Sequence, residues 1–204
     1  DSEDVASSPV QFGQISRPGD IKYKDLNHDG VIDSNDQAPI GYNPVPEMTF
    51  SLAAGLNWKG FDFSILLQGA ARSSIYLQQD IAWDNFWGNY YEEHIGRWTP
   101  ETAATATYPR FTKAATAAHP NYYKSDYWLK DSKYLRLKNI QLGYTIPRKL
   151  LKKFGVRSLR VYANAYNLFT WDNVKKVDPE SSNNSNGQFY PQQKVINFGI
   201  NLNF

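Results

Sequence analysis

Residues 195–204 alternate in character: Ile196, Phe198, Ile200, Leu202 and Phe204 are apolar, while Asn197, Gly199, Asn201 and Asn203 between them are polar or small. Successive side chains of a strand point to opposite faces, so this segment presents one greasy face and one amide-rich face. The same pattern recurs upstream. Met48, Phe50, Leu52, Ala54, Leu56 and Trp58 alternate with Thr49, Ser51, Ala53, Gly55 and Asn57. Phe61, Phe63, Ile65 and Leu67 alternate with Asp62, Ser64, Leu66 and Gln68. Leu159, Val161, Ala163 and Ala165 alternate with Arg160, Tyr162, Asn164 and Tyr166. The pattern predicts five antiparallel strands over 47–58, 61–71, 134–146, 158–169 and 193–204, an all-β chain. The third strand breaks phase. Leu135 and Leu137 are odd-numbered, whereas Ile140, Leu142, Tyr144 and Ile146 are even. Either a bulge near Lys138–Asn139 resets the phase, or the first half of the strand stands above a membrane and follows other rules.

Alternation alone also fits a soluble antiparallel sandwich with one wet face. Strand length and loop asymmetry favour a membrane barrel. The spans exceed the usual strand of about 5–6 residues and match a tilted transmembrane strand of about 9–11. The connections at Lys59-Gly60 and Pro147–Arg157 are short, and those at Ser73–Lys133 and Thr170–Gln192 are long. Short and long alternate, so both long loops leave from one end, as in outer-membrane barrels with short periplasmic turns. Trp58, Phe61, Tyr144 and Phe204 then fall near the inner interface, with Phe169 and Trp171 near the outer one, the places for aromatic girdles. Five strands leave two open edges, which lipid does not tolerate. The chain is therefore expected to be the C-terminal piece of a larger barrel.

Composition removes other classes. The 204 residues contain 22 basic and 20 acidic side chains, a balance that argues against nucleic acid. No Cys is present, so thiol chemistry, disulfides and Cys-ligated metals are excluded. No apolar run is long enough for a transmembrane helix. His28, His94 and His119 lack partners at catalytic or zinc-ligand spacing. Glu92-Glu93-His94 reads as a solvated loop cluster. No nucleophile elbow or phosphate loop occurs, so the chain is not expected to be an enzyme.

Two segments carry candidate chemistry. Asp25-Leu-Asn-His-Asp-Gly-Val-Ile-Asp-Ser-Asn-Asp36 has calcium-loop spacing, with oxygens from Asp25, Asn27, Asp29, the Val31 carbonyl, Asp33 and Asp36. The competing reading is an Asx-rich turn without an ion. Residues 76–128 carry 13 of the chain's 31 aromatics. A loop of that length needs its own packing or a partner to stay ordered. Its rings either form the loop's own core and a partner interface or, at Trp83, Trp87 and Tyr91, stack on substrate. Arg160, Tyr162, Asn164 and Tyr166 are expected to face the lumen, where they either line a path through the barrel or contact whatever fills it.

Several ordered blocks resemble a known family over nearly the whole chain. Gly19-Asp-Ile-Lys-Tyr-Lys-Asp25, Asn27–Asp33, Trp58–Asp62, Arg97-Trp-Thr-Pro-Glu101 and Tyr108-Pro-Arg110 are similar to SusC/RagA-type TonB-dependent transporters. So are Tyr134–Pro147, Leu159–Thr170 and Asp178-Pro-Glu180. His28 stands where that family usually has Gly. The resemblance implies an outer-membrane barrel of about 22 strands in a Gram-negative bacterium, with the C-terminus periplasmic. It implies a plug, coupling to TonB through an N-terminal region absent here, and a SusD-like surface lipoprotein. The cargo would be an oligosaccharide or oligopeptide. Residues 1–46 are then an extracellular segment and 47–204 barrel strands with extracellular loops 73–133 and 170–192. The alternative is a secreted all-β carbohydrate-binding module with structural calcium. A siderophore receptor is disfavoured by the Arg97–Glu101 and Tyr134–Pro147 blocks.

Overall fold

The structure, a computed structural model, describes residues 2–84, 88–113, 118–175, 177–181 and 192–204. The described residues form two compact units. Among the described residues, one draws on 42–75, 130–181 and 192–204, the other on 2–41 and 76–129.

The first unit is an antiparallel sheet of β1 (Met48–Trp58), β2 (Phe61–Ala71), β3 (Tyr134–Thr145), β4 (Ser158–Asp172) and β5 (Val195–Asn203), ordered as in the chain. The period-2 pattern thus forms the expected strands, and β4 runs on to Asp172. Lys59 and Gly60, at φ 46° and 90°, make the β1–β2 turn. Two residues at positive φ give the turn whose twist matches that of the flanking strands. Gly60 also lies against β3: a Cβ there would sit 2.9 Å from the Thr145 carbonyl oxygen. The β3–β4 connection winds through a short helix, Arg148–Leu151, and a 3-10 turn, Lys152–Phe154, ending at left-handed Gly155.

A bulge accounts for the phase break in β3. Leu137 pairs with Leu67 and Asn139 with Leu66, leaving Lys138 without a counterpart on β2. On the other side Leu137 pairs with Phe169 and Asn139 with Tyr166. The extra residue brings Leu135 and Leu137 onto the face of Ile140, Leu142 and Tyr144. The reading in which the first half of β3 leaves the pattern is thereby superseded.

All five strands consequently share one apolar face. Trp58 pairs with Phe61, Phe61 with Tyr144, Tyr144 with Val161, and Val161 with Ile200. The Phe61 and Tyr144 rings lie 4.5 Å apart near one end of the face, and Phe169 stacks with Trp171 at the other. On β5, Ile196, Phe198, Ile200 and Leu202 are 46% to 82% exposed. A soluble sandwich would bury them beneath a second sheet; among the described residues no sheet covers them.

The second unit packs residues 2–41 with 76–129. Ile32, Leu77, Ala82, Trp83, Tyr108, Tyr122 and Trp128 are its buried apolar groups. Packing therefore associates the long loop with the N-terminal segment.

Candidate functional site

The polar face of the sheet is stapled across strands. Arg160 on β4 donates from Nε and Nη2 to the two carboxylate oxygens of Asp62 on β2, at 2.8 and 2.5 Å. It reaches over Gly143 of β3, where a Cβ would come within 2.4 Å of Asp62. Gly143 is thus the gap that lets a fork-shaped ion pair span three strands. Tyr162 lies over Gly199 of β5 in the same manner, and Asn197 donates to Asn164 at 3.0 Å. Arg160, Tyr162 and Asn164, with Tyr166 paired to Asn139, therefore share the polar face, as the alternation requires.

At the opposite end of that face lies a cluster not foreseen in the sequence. Arg136 is 1% exposed. It donates to Thr170 Oγ1 at 2.9 Å, Asp178 Oδ2 at 2.7 Å and Glu180 Oε2 at 3.0 Å. The Tyr134 hydroxyl donates to the other Glu180 oxygen. A guanidinium is buried at small cost only when its donors are met, and here two carboxylates and a hydroxyl meet them. The signal was the Asp178-Pro-Glu180 block following β4, the strand that pairs with β3 and places Thr170 opposite Arg136.

In the loop unit, three separated sequence blocks converge. Arg110 Nε lies 2.7 Å from Asp20 Oδ1. Asn121 donates to the same Asp20 oxygen at 3.0 Å and accepts from the Ile21 N–H at 2.9 Å. The Arg110 N–H donates to the Gly19 carbonyl at 2.8 Å. Gly19, at φ 85°, presses its backbone on the Trp98 ring, leaving no room for a Cβ. Beside this junction lies a cavity of about 400 Å³ lined by Asp20, Lys22, Trp98, Thr107, Asp126 and Tyr127, among others. Below it, buried Asp84 accepts from the hydroxyls of Tyr122 and Tyr108 and from the Thr112 N–H. Burial, with the Asp84 carboxylate alongside, raises both tyrosines far above the ordinary phenol range. Burial pushes Tyr127 up to about 12.

His94 is buried, contrary to the solvated cluster expected from Glu92-Glu93-His94. Its Nδ1 accepts from the Tyr91 N–H at 3.0 Å, which leaves Nε2 to donate to the Ala82 carbonyl. A 3-10 turn over Glu92–Gly96 turns the ring inward among Tyr90, Tyr108 and Phe111. Trp83 is likewise buried, against Tyr122, and belongs to the loop core. Tyr91 is exposed, and Trp87 lies outside the described residues.

The Asp25–Asp36 loop is held by its own carboxylates. Asp25 accepts from the His28 and Gly30 N–H groups, Asn27 from Asp29, and Asp29 from Val31. Asp33 accepts from Asn35, and Asp36 from Leu26 and Asp33. The N–H of Asp33 is the largest influence holding the Asp36 carboxyl below its ordinary range. The oxygen-only donor set suits a hard cation. Among the described residues, however, no three acidic or imidazole side chains gather as a metal cluster; the carboxylates are turned to the main chain.

No family model matches the chain. It is 30% identical to the TonB-dependent receptor P26 of Formosa agariphila, over 99% of this chain and 21% of that protein. It is 26% identical to the TonB-dependent receptor SusC of Bacteroides thetaiotaomicron, over 95% of this chain and 18% of that protein. Among solved structures, the RagAB peptide transporter superposes with a TM-score of 0.67 at 22% identity, covering 91% of this chain and 20% of that one. The chain spans about a fifth of the length of the curated relatives it matches.

Proposed function

We infer that this chain, which in sequence and fold fits a portion of a SusC/RagA-type TonB-dependent receptor, supplies part of the wall and outer loops of an outer-membrane importer. The cargo is an oligomeric nutrient, glycan or peptide. Import is driven through TonB and shared with a SusD-like surface lipoprotein. The observation that supports this best is the sheet itself, with a bare apolar face across five strands, a hydrogen-bonded polar face and two edge strands awaiting neighbours. Neighbouring strands of a larger barrel would pair with β1 and β5, because open edges are not tolerated in lipid. A plug would lie against Arg160, Tyr162, Asn164 and Tyr166, since a barrel this wide is filled by one. On this reading the short turns would stand on the periplasmic side, and the long connections would meet the lid and the cargo.

Calcium belongs to the proposal as a brace for the Asp25–Asp36 loop. Asp25, Asn27, Asp29, the Val31 carbonyl, Asp33 and Asp36 would supply its oxygens. To bind the ion, the side chains would exchange the main-chain hydrogen bonds they make now.

The function is tested by uptake of fluorescent oligosaccharide and oligopeptide pools into cells with and without the full-length protein. The proposal expects uptake of one pool that requires the protein, an intact TonB and the proton gradient. Uptake unchanged by its deletion, or indifferent to an uncoupler, would overturn it.

A further inference from the structure

The β3–β4 connection has a composition that a plain turn does not require. Residues 146–157 contain Arg148, Lys149, Lys152, Lys153 and Arg157 and no acidic residue. Among the described residues, none of these five cations forms an ion pair. Lys59, at the neighbouring β1–β2 turn, adds a sixth cation over the Trp58 ring. The short helix buries Leu151 but leaves Leu150 65% exposed, and the 3-10 turn after it leaves Phe154 76% exposed. The segment is fixed to the sheet end: the Ile146 N–H donates to the Leu159 carbonyl, and the Arg157 N–H to the Asn203 carbonyl. The same end of the apolar face carries the Trp58, Phe61 and Tyr144 rings.

Two bare apolar side chains among unpaired cations, beside an aromatic girdle, form an interfacial motif: apolar groups enter the acyl boundary while cations meet headgroup phosphates. We propose that residues 148–157 are a docking surface for anionic phospholipid of the inner leaflet of the outer membrane. The choice of lipid over an acidic protein rests on Leu150 and Phe154, which an aqueous acidic partner would leave wet. The sidedness rests on the barrel reading above. The lipid would clamp the β3–β4 end at the membrane surface and fix the depth of the sheet.

The test uses the full-length protein in nanodiscs of phosphatidylcholine, with and without phosphatidylglycerol. Mass spectrometry reads the lipid retained on delipidation, and a nitrobenzoxadiazole label at a Phe154→Cys site reads burial. Retention of phosphatidylglycerol over phosphatidylcholine is expected, together with a blue-shifted label that high salt reverses. Each Lys→Gln or Arg→Gln change at 148, 149, 152, 153 or 157 should lower the preference by up to about fivefold. Lys→Arg exchanges should preserve it. No preference in the wild type, or one that survives all five Gln changes, would overturn the proposal. Equal binding of soluble polyglutamate by the detergent-solubilised protein would overturn it in favour of an acidic partner. Labelling of the Phe154→Cys site in intact cells by a bulky impermeant maleimide would overturn the sidedness. Loss of lipid preference with that site protected would overturn the lipid assignment alone.

Discussion

Replacing Arg136 by Gln should release the segment that follows β4. The wild-type guanidinium is almost fully buried, and its partners Asp178 and Glu180 have side chains 13% and 25% exposed. Removing one member of a buried ion pair costs about 3–5 kcal/mol, because the remaining charge is left desolvated. Here water already reaches both carboxylates, so the lower end, about 3 kcal/mol, applies. The chain relieves that cost by swinging residues 178–181 into solvent, so the loss appears as local opening while the sheet stays folded. The Glu180 and Ser181 amides, which donate to Asp178 Oδ1 and to the Asp178 carbonyl, are the reporters. Hydrogen exchange of the full-length protein should show their protection falling by about a hundredfold, at 1.4 kcal/mol per decade. Neutralising the carboxylates as well, with Asp178→Asn and Glu180→Gln, should restore part of the protection, since no charge is then stranded. Unchanged protection in Arg136→Gln, or no recovery in the triple variant, would refute the reasoning.

Three further outcomes follow from the same structure. Gly143→Ala should force Arg160 and Asp62 apart and cost about 1–3 kcal/mol, read as a lower midpoint of heat-induced unfolding on gels; in an Asp62→Ala background most of that loss should vanish. In the loop unit, burial raises the tyrosines, Tyr76 and Tyr127 to about 12. Their unfolded forms ionise near 10, so stability present below that pH is lost as pH rises from about 10 towards 12. Ultraviolet titration should show phenolate appearing only as the unit opens. Calcium should protect the Asp25–Asp36 loop from proteolysis in wild type and not in Asp25→Ala/Asp29→Ala; protection indifferent to chelator would assign the loop to its hydrogen-bonded turns alone.

The strands were legible because a half-buried sheet imposes period 2 on every residue, and even the irregularity at Lys138 left its mark as a change of parity. The turn at Lys59-Gly60 was legible from its length. The loop unit was not, because its contacts are distant in sequence: Asp20 meets Arg110 and Asn121, 90 and 101 residues away. No local period reports such pairings, so His94 read as a solvated group although it is core, and Trp83 was left between loop core and substrate contact. His28, which replaces the Gly usual in that family, stands at φ 61°, where a side chain is strained and Gly is not. Arg136 was hidden by the opposite effect. A cation on the polar face of β3 reads as wetted until the chain after the neighbouring strand β4 is seen to return with Asp178 and Glu180.

The central claim is that the apolar face of the sheet meets lipid. The chain has no Cys, so single nitroxides can be placed along β5 one at a time, in the full-length protein cleared of other reactive thiols. Collision rates with oxygen, which concentrates in the bilayer, and with a water-soluble nickel chelate are then measured from 195 to 203 in liposomes. The account predicts period-2 alternation, with high oxygen and low nickel accessibility at 196, 198, 200 and 202 and the reverse trend at 197, 199, 201 and 203. Low accessibility to both reagents at the even positions, as under a second protein layer, would contradict it.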